Sequence, residues 1–444
     1  MDQESKELGR FASEIADVAR GMGLDFYPVH FEIAPPEALY TFGSYGMPVR
    51  FTHWSFGKAF YRLKMQYDLN LSRIYELVIN SNPAYAFLLE GNKLIQNKLV
   101  IAHVYAHVDF FKNNHYFKRT PKDMVERMAA HAKQIRDYEI QYGRDKVEQT
   151  LDAVLAIQEH VDFRAHIARK SEQKERVRNR RLPTLMEQYE DLWKIDEEEA
   201  ETKAEVHEDE DLLRFIILNS PTLADWQRDV LSLVREESLY FYPQIETKII
   251  NEGWATFWHA RIMREISLSD SETLDFALMH SQVLQPSSYS LNPYFLGYKI
   301  WESIEKRESL ESLFELRETE NDLSFVRNYL NRELVEDLNL FNFRKVGAHW
   351  QVAETDWERV RDNLVQGLEH GGHPRIVAVD GDYEGKGALK MRHCHEGLDL
   401  DLVYLEKTLA LVQYLWGKPI YLETVYDSKK VLFECNNGLV TRHS

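Results

Sequence analysis

Cysteine is nearly absent: Cys394 and Cys435 are the only two in 444 residues. Two thiols exclude a disulfide framework and suit a reducing compartment. No window approaches the ~18 uninterrupted apolar residues of a membrane span. The opening MDQESKELGRFASEIADVARGMGLDF is charged throughout and has no apolar stretch of the signal-peptide kind. A phosphate-cradling glycine loop, a Gly-x-Ser-x-Gly elbow and a Cys-x-x-Cys pair are missing too, which leaves nucleotide, serine-hydrolase and zinc-ribbon readings without support. Positive charge is in deficit, with 54 Lys and Arg against 72 Asp and Glu and a net charge of −18. Such a chain repels phosphate backbones, so nucleic acid is not expected as a partner. The expectation is a soluble, cytoplasmic protein with no membrane partner.

Apolar and aromatic residues are plentiful, with 22 Phe, 23 Tyr and 9 Trp, so most of the length is expected to fold. At roughly 150 residues per domain the chain suits two or three domains. Leu8, Phe11, Ile15, Val18 and Met22 recur in steps of three and four, the stripe of an amphipathic helix that Gly23 ends. The next stretch, to Lys58, is crowded with Pro, Gly and aromatics and reads as an ordered but irregular segment. Helical patterns follow near 58–67, 71–80, 92–115, 121–141 and 144–163, and again from 211 to about 340.

Between these lies a charge excursion. Residues 164–182 carry eight basic side chains, and residues 196–211 carry ten acidic ones against Lys203 alone. Opposite blocks of this kind read as a solvated, mobile insertion, or as a docking segment. Beyond Phe341 the texture changes to short strands at 375–379, 389–393, 419–425 and 430–435, with a helix at 402–415. The expected organisation is therefore a mostly α chain: a helical core of 1–163 and 212–340, a charged insertion at 164–211, and a small α/β C-terminal domain at 341–444.

The sharpest chemical signal is IAHVYAHVDFF, where His103 and His107 stand four apart in a helical run and so stack on one face. That is the geometry of a two-histidine clamp for a divalent metal, and equally of two packed histidines. Position 104 is valine, where the His-Glu-x-x-His motif of zincins has its general base, so the acid–base group has to come from elsewhere. Asp109 falls on a different face of the same helix. In NEGWATFWH, Glu252 and His259 are seven apart, two turns on one face. Glu-Gly-Trp-Ala resembles the second-helix element that completes the metal site of gluzincin-type peptidases, although buried tryptophans on an amphipathic helix explain it as well. Glu236 and Glu237 are adjacent, so one of them at most faces inward, as an acid–base group or a ligand. Arg50 and His53, in an aromatic-rich stretch, and His280, before a polar turn, are candidates for binding substrate, with ordinary packing as the alternative.

Four strings carry a resemblance: GMPVRFTHWSFGK from Gly46, LSRIYELVINSNP from Leu71, HVYAHVDFFKNN from His103 and NEGWATFWH from Asn251. With SFVRNYL from Ser324 and LWGKPIYLET from Leu415, they closely resemble the SpoVR family, named for stage V sporulation protein R, over nearly the whole chain. The resemblance implies a bacterial cytoplasmic protein involved in forming the peptidoglycan cortex of spores, with a stress role outside spore formers. It also implies a PrkA-type serine protein kinase and a von Willebrand-like protein as partners. It supplies no reaction.

Two readings follow. In the first, a zincin/gluzincin-like helical shell holds a divalent metal, zinc foremost with manganese or iron as alternatives, on His103, His107 and Glu252. His259 is then a fourth or supporting residue, and Glu236 or Glu237 moves the proton while a peptide or peptidoglycan-like amide is cleaved. In the second, the chain is a regulatory or scaffold protein that kept the shell without the reaction.

Overall fold

The computed structural model describes residues 3–68, 76–164, 208–286, 291–346 and 349–443. By its contacts the chain divides into two compact units, residues 1–136 with 243–372 and residues 137–242 with 373–444.

The chain opens with helix α1 (Gln3–Gly21), strand β1 (Val29–Ala34), helices α2 (Pro36–Tyr45) and α3 (Trp54–Asp68), and strands β2 (Glu76–Ile79) and β3 (Ala84–Leu89). The three strands make one sheet in the order β1-β3-β2, with β1 parallel and β2 antiparallel to β3. This sheet departs from the helical pattern expected at 71–80. Its Glu-Leu-Val-Ile run is short and β-branched, and it pairs with Ala84–Leu89 across a Pro-containing turn. Part of that stretch, 71–75, lies outside the described residues.

Next come helices α4 (Leu94–Asn113) and α5 (Met124–Tyr142), then α6 (Arg144–Leu155), α7 (Leu212–Asn219) and α8 (Asp225–Glu246). The charged insertion lies almost wholly outside the described residues. Its end is anchored: Asp209 bridges Ala378, and Asp211 caps α7 by accepting from Arg214 N at 2.9 Å.

The chain continues through α9 (Lys248–Glu265), α10 (Asp270–Val283), α11 (Pro293–Glu305), α12 (Leu310–Thr319), α13 (Asp322–Tyr329) and α14 (Arg332–Asp337). The hairpin β4 (Asn342–Val346) and β5 (His349–Glu354) and helix α15 (Trp357–Leu368) follow. This stretch does not open a C-terminal domain at 341. Because α15 packs on α13 and α14, it belongs with the first unit.

The second unit ends in β6 (Ile376–Tyr383), β7 (Ala388–His393), α16 (Leu402–Trp416), β8 (Ile420–Tyr426), β9 (Lys429–Asn436) and β10 (Leu439–His443). They form a five-stranded sheet in the order β10-β9-β8-β7-β6, with α16 as the crossover between the parallel pair β7 and β8. Helix α6 packs on α16, where Thr150 Oγ1 lies 3.1 Å from the Tyr414 hydroxyl. The chain is thus mostly helical with a C-terminal α/β sheet, as expected.

The first unit is built around α4 and α9. Both are apolar on nearly every side, the pattern of a helix enclosed by others, and residues 97–111 of α4 are all buried. Helix α9 crosses α11 with backbone against backbone. A Cβ added at Gly253 would stand 2.5 Å from Gly297 Cα, so only glycine permits the approach. The first donors of α9 are satisfied by Asp322, which accepts from Ile249 N at 2.9 Å and Ile250 N at 2.8 Å.

Candidate metal centre

Helical periodicity places His103 and His107 on one face of α4, with ring centroids 4.6 Å apart. Across from them α9 presents Glu252, whose Oε2 lies 3.3 Å from His107 Nε2 and 3.6 Å from His103 Nε2. The three donor atoms fall within 4.8 Å of one another, the one such cluster among the described residues. Glu252 Oε2 is buried and makes no hydrogen bond. Burial pushes the Glu252 carboxyl up, but the two imidazoles outweigh it and hold the group well below the usual carboxylate range.

The register of the two helices is pinned two residues further along each. Asp109, two residues past His107, is fully buried and accepts from Trp254 Nε1 at 2.9 Å; Trp254 is two residues past Glu252. Asp109 also accepts from Arg317 Nη1 and from Asp25 N, each at 2.7 Å. It does face away from the imidazoles, as its helix position required. Burial pushes its carboxyl up to about 6 despite the Arg317 charge.

Behind the ligand face, each histidine is held by its other nitrogen. His107 Nδ1 lies 2.9 Å from Asn251 Oδ1, and His103 Nδ1 lies 2.8 Å from His259 Nδ1. His259 is fully buried, and its Nε2 lies 2.9 Å from His280 Nδ1. Burial first, then the neighbouring imidazoles, push the His259 pKa well below its ordinary value. Both nitrogens of His259 are therefore engaged, which places it as a support for His103. His280, expected at a substrate pocket, is the partly exposed end of this row. Its pKa too is lowered, by burial and then by Arg264. Tyr294, at the start of α11, stacks on His103 with centroids 6.1 Å apart.

The remaining candidates are carried by other elements. Arg50 lies over Phe56, 4.8 Å from the ring centroid, and donates to Tyr45 O at 3.3 Å. His53 is buried with Nδ1 2.7 Å from Ser55 Oγ at the start of α3. Glu236 and Glu237 sit on α8 in the second unit, Glu237 fully buried. Asn251 had no signal of its own in the sequence beyond standing next to Glu252.

Fold and site together define a mostly helical protein with a His-His-Glu cluster between two core helices and a C-terminal α/β sheet. The chain belongs to the SpoVR family: the family described as SpoVR like protein matches residues 2–373, and the SpoVR-like C-terminal domain matches 374–427. That membership makes it a sporulation-associated protein. It is 31% identical to a protein of Escherichia coli (strain K12) described as "Uncharacterized protein YcgB", over 94% of this chain and 91% of the relative. No solved structure matches the chain. No helix among the described residues is long and apolar enough to cross a membrane.

Proposed function

We propose that His103, His107 and Glu252 hold a divalent metal, zinc foremost with manganese or iron as alternatives. The helices around them then form a zincin/gluzincin-like shell that hydrolyses an amide bond in a peptide or peptidoglycan-like substrate. One observation carries the reading: two imidazole nitrogens and a carboxylate oxygen that makes no hydrogen bond converge within 4.8 Å. Nitrogen and carboxylate donors suit zinc, and three protein ligands are the number that leaves a position for water. The donor set is also prepared. Asn251 Oδ1 only accepts, so neutral His107 carries its proton on Nδ1 and turns the Nε2 lone pair toward Glu252. A cation there would be met by that lone pair and by Glu252 Oε2, 3.3 Å from the same nitrogen.

The chemistry a bound divalent ion supplies is Lewis acidity, polarising a carbonyl and acidifying a water. The chain's own part is to fix the ligands through Asn251 and His259 and to lock the helix register through Asp109 and Trp254. Within sporulation, the substrate would be a cytoplasmic cortex precursor or a protein, consistent with an acidic, cytoplasmic chain.

A specific observation favours the second reading, a non-catalytic regulator working with a PrkA-type kinase and a von Willebrand-like protein. Val104, in the place of the zincin Glu, is fully buried in the apolar core. Zinc-loaded protein incubated with peptidoglycan stem peptides separates the two. The hydrolase reading expects amide cleavage that Glu252→Gln abolishes while the variant stays folded. Metal-loaded protein without cleavage of stem peptides or of denatured protein leaves the regulator.

A further inference from the structure

Helix α3 is apolar on two faces, and packing inside the molecule uses one of them. At 3.6 residues per turn Phe56, Ala59, Phe60 and Leu63 share the inward side. They are buried or half-buried, and Phe56 meets Tyr45 of α2 with ring centroids 5.1 Å apart. The entry to the helix is held locally: Ser55 N donates to His53 Nδ1 at 3.3 Å, and Arg50 lies over the Phe56 ring. On the opposite side Trp54, Tyr61 and Met65 fall within about 40° of one another around the axis, and they are 56%, 73% and 58% exposed. Their stripe runs about 17 Å along the helix.

The charge around that stripe is opposite to the charge of the chain. Between Glu37 and Asp68 lie 30 residues without one acidic side chain, in a sequence that holds 72 in 444. The same interval carries Arg50, Lys58, Arg62 and Lys64. Helical spacing sets Lys58 and Arg62, both exposed, on one flank of the stripe and Lys64 on the other. Helix α2, which packs on α3, carries no charge except Glu37 in its first turn. A chain of −18 thus presents a cationic, aromatic face here.

We propose that the outward face of α3 seats the protein on an anionic lipid surface, with Trp54, Tyr61 and Met65 at headgroup level. Trp and Tyr are side chains that settle at the boundary between water and bilayer. The long stems of Lys58, Arg62 and Lys64 lie along the apolar stripe while their charges reach lipid phosphate. An acidic protein is the competing occupant. Lipid is favoured because both flanks carry the same sign with no acid between them, and because the apolar side chains protrude instead of lining a groove. No helix among the described residues is long and apolar enough to cross a membrane, so this contact is a peripheral one. It runs against the absence of a membrane partner expected from net charge. At a Debye length of about 8 Å, acids further away than that are screened while cations in contact with phosphate are not. The inference is independent of the metal-site reading.

The test is co-sedimentation of full-length protein with vesicles of phosphatidylglycerol and phosphatidylcholine in equal parts, beside vesicles of phosphatidylcholine alone. Salt is held at about 0.15 M, without divalent cations. The proposal predicts partition onto the anionic vesicles only, weakened by added salt. Lys58→Gln with Arg62→Gln should lower that partition about 25-fold, at about five-fold per charge, and Tyr61→Gln with Met65→Gln should lower it as well. Lys407→Gln with Lys418→Gln, the same change of charge at exposed positions of the second unit, should leave it unchanged. Circular dichroism checks that each variant folds. Equal partition onto both vesicle types overturns the proposal, as does wild-type binding by the Lys58→Gln, Arg62→Gln variant. No partition onto either vesicle overturns it too, and leaves an acidic protein as the occupant of the face. The wild-type comparison of the two vesicle types stands whether or not the variants fold.

Discussion

Asp109→Ala is the perturbation that most sharply tests how the site is held. The carboxylate is fully buried and the Arg317 side chain nearly so, at 6% exposure, with 2.7 Å between them. Removing one partner of a buried pair strands the other charge, at a cost of about 3–5 kcal/mol. It also orphans the buried Trp254 indole N–H, worth about 1–3 kcal/mol when unsatisfied, and removes the acceptor of the amide of Asp25, an exposed residue that water can serve. These effects share one cavity and do not add fully, so about 4–6 kcal/mol is the expectation, against a typical total stability of about 5–15. Urea unfolding followed by circular dichroism measures it. Asp109→Asn keeps the shape and loses the charge, so it should fall between wild type and Ala. Metal affinity is expected to drop in both, because the lost hydrogen bond is the one that sets Glu252 against His107. A loss below about 1 kcal/mol for Asp109→Ala would refute the account of the buried pair.

Three further outcomes are expected. Gly297→Ala puts a Cβ 2.8 Å from Gly253 Cα; forcing the two backbones apart should cost about 1–3 kcal/mol, as in an overpacked core, whereas Gly9→Ala, inside α1 with nothing near its Cβ, should stabilise slightly in the same melt. In the second unit, Gly417→Ala combines a φ of 75° with a Cβ 2.6 Å from that of Thr222; thermal melting should show a clear drop that Gly385→Ala, in open space, exceeds only if the close contact is irrelevant. Asp322 gives a pH signature: burial raises its carboxyl to about 7, so the folded state binds a proton the unfolded state has released. Stability contributed by this group is therefore full near pH 4 and lost as pH rises toward 7. Asp322→Asn should flatten that part of the stability-versus-pH curve, and an unchanged slope would exclude Asp322 as its source.

The helical spacing of His103 and His107, and the two-turn spacing of Glu252 and His259, were readable because a helix face is a local property. Their meeting was not, since it depends on the glycine contact of α9 with α11 and on the Asp109 bonds, which join residues far apart in sequence. The same reason hid the role of His280: its partner His259 is set by how α10 packs on its neighbours, and the polar turn after it suggested a pocket instead. The β1–β3 pair was illegible because parallel pairing is non-local and the Pro- and Gly-rich stretch around it reads as loop. In the C-terminal sheet, alternating strands and glycine turns are local signals, and four of its five strands were visible; β10, Leu439–His443, is largely exposed and carries little apolar pattern.

The most direct measurement is the metal content of purified full-length protein by elemental mass spectrometry, beside His103→Ala, His107→Ala and Glu252→Ala checked for folding by circular dichroism. The account predicts near-stoichiometric divalent metal in the wild type and its loss in each folded variant. A wild type that holds no metal after incubation with zinc, manganese and iron, or variants that keep it, would contradict the central claim.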